Sequence, residues 1–127
     1  MKRLIAHLMG DYVIQSNWMA SHKTERVFPA SAHAATYAAC FLPLTHNWRP
    51  LAVIGGTHFV IDHWRLAKHV TWAKNLLGPA ADRSEHTATG YPATTPDWLA
   101  VWLMIIADNT IHLLINEWAL DHWRGTK

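Results

Sequence analysis

An all-α fold, a bundle of four helices embedded in a membrane, is what this sequence predicts. Three observations carry that reading. Apolar residues recur at helical spacing through four long stretches, and no run alternates as a strand would. Proline and polar caps punctuate those stretches at their starts. Three His/Asp pairs, His7–Asp11, His58–Asp62 and Asp108–His112, stand four residues apart inside apolar surroundings, which on a helix puts both members on one face, one turn apart.

The first helix is expected from about Leu4 to Ala20. The second runs from about Pro29, well placed in a first turn, to His46, with Pro43 kinking or ending it near Leu42. The third runs from Pro50 to about Leu77, its early turns weakened by Gly55-Gly56. The fourth opens at Thr95-Pro96-Asp97, with proline and an acid in the first turn, and stops near Trp123, before Gly125. Residues 1–127 then make one domain. The aperiodic segment from Leu77 to Pro96 is long for a compact domain, and such segments are either functional lids or disordered.

Half of the 127 residues are apolar, 16% are charged and eight are Trp. Low charge and many Trp suit a membrane interface. Val27 to Trp48 is 22 residues without a formal charge, which meets the length for a spanning helix. Membrane lipid is therefore the expected surrounding; the alternative is a soluble, cytoplasmic bundle with a rich core. A net charge of +2 argues for no nucleic-acid partner. The one cysteine, Cys40, excludes an internal disulfide and any multi-cysteine zinc site, and reads as a buried thiol. Lys2 and Arg3 precede an apolar stretch, but Asp11 interrupts it and no small-residue cleavage site follows, so a cleavable signal peptide is not expected.

With 10 His in the chain, chance yields roughly one His/Asp pair in either order at this spacing. A fourth pair, Asp82–His86, lies in the polar loop and is read as the chance one. In an up-down-up-down bundle, His7, Asp11, His33, His58, Asp62, Asp108 and His112 fall within a slab roughly 10 Å deep, at about 1.5 Å per residue. Imidazole and carboxylate are ligands for divalent metals, zinc or manganese here. Seven groups exceed one tetrahedral shell, so either two ions share carboxylates or some groups orient the others. Asp62 and Asp108 are the carboxylates expected in catalysis, with Arg65 and Lys68 following on the third helix to hold an anion. Gln15 continues the His7–Asp11 face by a further turn. A network of buried Asp–His ion pairs without metal explains the same pattern.

The stretches HLMGDYVIQSNWMA, ASAHAATY, GGTHFVIDHWRLAKHVTWAKN and GYPATTPDWLAVWLMIIADNTIHLLIN resemble an uncharacterised family of short proteins from bacteria and their phages, most closely the actinobacterial-phage versions. Its members form a domain of unknown function and are commonly labelled membrane proteins. The shared pattern is H-x3-D-x3-Q, a basic residue, H, H-x3-D-x2-[KR], then D-[QN]-x2-H. It falls on His7, Asp11, Gln15, Lys23, His33, His58, Asp62, Arg65, Asp108, Asn109 and His112. The resemblance implies that Gln15, Lys23 and Asn109 stand beside the ligands. It carries no activity with it. A looser similarity to membrane-bound metal-dependent hydrolases transfers no residue roles. Metal-dependent hydrolysis of a phosphoester is the leading expectation. Its alternatives are a structural His/Asp cluster in a membrane protein acting on a host partner, and ion or proton translocation.

Overall fold

The computed structural model describes residues 1–80, 83 and 88–125. These contain six α-helices and no strand: α1 (Lys2–Leu8), α2 (Asn17–His22), α3 (Val27–Ala39), α4 (Trp48–His63), α5 (Ala67–Asn75) and α6 (Asp97–His122). A single π-helical turn, Met9–Val13, follows α1 directly.

The four expected stretches are thus broken further, each break with a local cause. The first divides at Ser16, whose extended backbone and side chain cap α2 by accepting from the Met19 amide at 3.3 Å. The second starts at Val27 and ends at Ala39, four residues before Pro43. Proline has no N–H to return to the Ala39 carbonyl, and it disfavours helical backbone at Leu42. The uncharged run from Val27 to Trp48 is therefore not one spanning helix. The third begins at Trp48, capped by Asn47, which accepts from the Arg49 amide at 3.0 Å. It is cut after His63, where Arg65 takes a left-handed φ of 51°. The helix runs unbroken through Gly55 and Gly56. A Cβ at Gly55 would sit 3.2 Å from the Ala38 Cβ, so the missing methyl lets α4 lie close against α3. The fourth starts and ends where the sequence places it, within about one residue. Cys40 is half-buried, its thiol donating to the Thr36 carbonyl at 3.4 Å.

The chain divides into two compact units, Met1–Trp64 with His112–Lys127, and Arg65–Ile111. The first holds the apolar core: Ala6, Tyr37, Phe41, Ile54, Ala119 and Leu120, with Leu51 and Trp123 partly buried against it. In the second, the described end of the long loop is fastened to α5. Thr71 donates to the Thr89 carbonyl at 2.6 Å and Asn75 to the Gly90 carbonyl at 2.7 Å. Gly90 has φ +77°, and a Cβ there would lie 2.3 Å from Thr71 Oγ1, so glycine is required. The pair Asp82–His86 lies outside the described residues.

Candidate metal centre

The site is built in the first unit from α1, its π turn, α3 and α4. His7 lies in the last turn of α1 and Asp11 sits in the π turn, where four residues make nearly one full turn and both side chains reach the interior. Gly10 makes the close approach possible: a Cβ at this position would lie 2.6 Å from Tyr37 Cδ2 and 3.1 Å from Tyr37 Cα. His33 stands in the middle of α3, and His58 and Asp62 are one turn apart on α4. All five are buried.

Four of them converge on one point. His33 Nε2 and His58 Nε2 are 2.9 Å apart. His33 Nε2 lies 3.3 Å from both Asp11 Oδ1 and Asp62 Oδ2. His58 Nε2 lies 3.3 Å from Asp11 Oδ1 and 3.4 Å from Asp62 Oδ2. One ligand atom from each falls within 4.8 Å of all the others. Tetrahedral coordination with ligands at about 2.0–2.1 Å sets neighbouring ligand atoms about 3.3 Å apart. Four edges of the cage therefore match the spacing a tetrahedral ion requires, and the His33–His58 edge at 2.9 Å is shorter.

A second ring of groups fixes the cage. His112, from α6, hydrogen-bonds Asp62 Oδ1 at 3.0 Å, leaving Oδ2 to face the imidazoles. Lys23 donates to that Oδ2 at 2.5 Å and to Gln15 Oε1 at 2.8 Å. His7 Nδ1 is 2.7 Å from the Tyr37 hydroxyl and 3.6 Å from Asp11 Oδ2. Asn116 donates to the same hydroxyl at 2.7 Å, and the Tyr37 ring stacks on His58 with centroids 3.7 Å apart. His33 Nδ1 and His58 Nδ1 are buried without a hydrogen-bond partner.

The electrostatics favour ionised carboxylates. Burial pushes the Asp11 carboxyl upward, but His33 and His58 outweigh it and hold it well below its ordinary value. Burial likewise raises Asp62, and His112, His33, His58 and Lys23 together bring it far below. His33 is lowered by burial yet raised on balance by Asp11 and Asp62. His58, the more deeply buried, is lowered.

Of the residues singled out from sequence, the structure brings together His7, Asp11, Gln15, Lys23, His33, His58, Asp62 and His112. Asp108, Asn109, Arg65 and Lys68 belong to the second unit. Asn109 donates to the Ile105 carbonyl of its own helix at 2.7 Å. Sequence reasoning missed Tyr37 and Asn116. The signal was present, since each stands four residues after a cluster histidine, His33 and His112, and so continues its face.

The sequence pattern of a family described as a protein of unknown function, DUF3307, matches residues 1–122. The chain belongs to the DUF3307 family. No curated protein and no solved structure matches it. The match spans every helix and every cage residue of this DUF3307 member.

Substituting Gly10 by alanine is expected to cost about 1–3 kcal/mol, because the added methyl meets Tyr37 in a packed interior. Denaturant unfolding checks it. A loss below about 0.5 kcal/mol, the range of ordinary surface changes, would mean that Tyr37 gives way freely.

Proposed function

We propose that this protein holds one divalent metal, zinc rather than manganese, in the cage of Asp11, His33, His58 and Asp62, and that it hydrolyses phosphoesters there. The observation that carries the reading is the set of near-tetrahedral edges between two imidazole nitrogens and two carboxylate oxygens. Mixed nitrogen and oxygen ligands in tetrahedral array favour zinc, whereas manganese prefers six oxygens. Such an ion would supply Lewis acidity, and since four protein groups already fill a tetrahedral shell, it would make water acidic near neutral pH only by taking it as a fifth ligand. Asp62, kept ionised and oriented by His112 and Lys23, would hold the ion through Oδ2, and the proton of the attacking water would pass to the leaving alkoxide through solvent. Water adds its oxygen to phosphorus as the ester P–O bond breaks.

Purified protein is expected to contain about one zinc per chain, the content of one tetrahedral site. His58→Ala and Asp62→Asn should lose both the metal and any turnover of phosphomonoesters, phosphodiesters and phospholipids. Metal content near zero removes the reading. Identical background turnover in wild type and both variants leaves a metal site without hydrolysis.

One observation favours a second reading. The Lys23 ammonium already gives Asp62 a cation at 2.5 Å, as a metal-free ion-pair network would. That network predicts no metal uptake and no thermal shift on adding zinc.

The same reading places α6 in a bilayer. It is the one helix among the described residues long and apolar enough to cross, with 26 residues and a mean hydropathy of 1.7 in its most apolar window, of which 11% is buried. Trp98 and Trp118 are exposed near its ends, about 30 Å apart along the helix, which matches the hydrocarbon core of a bilayer with its interfacial tryptophans. A host membrane protein remains the partner of the non-catalytic alternative. Fractionation of expressed protein with membranes, resistant to high salt, is the expected result.

A further inference from the structure

We propose that the cage takes its metal together with a phosphate-type oxyanion, and that Lys23 is the residue that holds this anion. The inference rests on the metal reading above and assigns the chemical class of its second ligand.

The first argument is charge. Asp11 and Asp62 contribute two negative charges, which a divalent ion cancels. Lys23 then adds a positive charge beside groups that are almost fully buried. A positive charge so placed attracts an approaching anion.

The second argument is valence. Asp62 Oδ2 is both a vertex of the cage, 3.3 Å from His33 Nε2 and 3.4 Å from His58 Nε2, and the acceptor for Lys23 at 2.5 Å. An ion bonded to Oδ2 weakens it as an acceptor for the ammonium. The remaining partner of Lys23 with an oxygen to offer is Gln15 Oε1, a neutral amide. A lysine ammonium carries three donors, so a tetrahedral oxyanion with several acceptor oxygens replaces what the metal takes.

The third argument is placement. Lys23 is not a loose surface lysine. Its carbonyl is held by His63 Nδ1 at 2.7 Å, and it caps α2. Its side chain is 20% exposed, against 5% for Asp62, 10% for Asp11 and 1% for His33. Of these groups it is the most exposed, so an anion approaching the cage meets it first.

Cobalt(II) provides a direct readout, because its visible absorption responds to what surrounds the ion. The full chain is loaded with cobalt and titrated with inorganic phosphate, with acetate and chloride as comparisons. A saturable spectral change with phosphate is expected, absent or much weaker with chloride. Compared at equal cobalt loading, Lys23→Gln should weaken phosphate by about tenfold or more, and Lys23→Arg should restore most of the affinity. Vesicles of phosphatidylcholine with and without phosphatidic acid replace phosphate in a second arm. A response to phosphatidic acid vesicles alone identifies a lipid headgroup as the oxyanion, and a response to inorganic phosphate identifies a soluble one. Phosphate should also raise the melting temperature of the metal-loaded wild type and not of the metal-free protein, which needs no variant. Cobalt uptake without any phosphate response, or equal affinity in wild type and Lys23→Gln, overturns the proposal and leaves the metal reading standing. Failure to take up cobalt overturns both.

Discussion

Replacing Asp62 by alanine is expected to cost about 3–5 kcal/mol of folding stability in the metal-free protein, because it leaves buried charged partners uncompensated. Lys23 loses its 2.5 Å acceptor, and His112 loses its 3.0 Å partner. His33 and His58 lose one of the two carboxylates between which they lie. Asp62→Asn should cost less, since the amide oxygen still accepts from one of these donors. Urea unfolding of the chelator-treated protein measures both. A loss below about 1 kcal/mol for alanine, the scale of an exposed ion pair, would mean that Asp62 is solvated rather than the centre of the network.

Zinc at about a thousand times its dissociation constant is expected to stabilise the protein by about 4 kcal/mol, reversed by chelator. The pH dependence has a definite sign. Asp11 and Asp62 have folded pKa values below their ordinary ones, so their stabilising effect is present above the normal carboxylate range. It is lost only as pH falls through the lowered values. They remain ligands throughout the neutral range. His33 is raised, so in the metal-free protein its protonated form stabilises below its ordinary value, and that contribution disappears as pH rises through the raised one. Zinc requires the same imidazole neutral and competes with its proton. The melting-temperature gap between zinc-loaded and metal-free protein should therefore widen as pH rises from about 6 to about 8, the range around an ordinary histidine pKa. A gap that is constant or narrows would remove His33 from the ligand set.

Helical class, the limits of α6 and the facing of His58 with Asp62 were legible in the sequence, because each depends on contacts within a turn or two. Period, proline position and the i, i+4 rule report such contacts directly. The same rule reaches Tyr37 and Asn116, each four residues after a cluster histidine, and the structure sets Tyr37 against His58 and His7 with Asn116 on its hydroxyl.

Tertiary structure decided the rest. The π turn that carries Asp11 exists where Gly10 seats against Tyr37, a residue 27 positions away, and no local propensity encodes that fit. The breaks at Ser16 and Trp64 fall inside stretches whose apolar period continues across them, so periodicity alone reads straight through. Helical spacing gave Lys23 no role and only the family resemblance set it beside the ligands; Asp62, 39 residues further on, makes it the cation of the cage. Asp62 joined His33 and His58, which reach it from α3 and from its own helix. Spacing along a helix fixes which side chains share a face. Which faces then meet is set by close packing between helices distant in the chain, and that choice assembled four of the seven expected ligands into one cage.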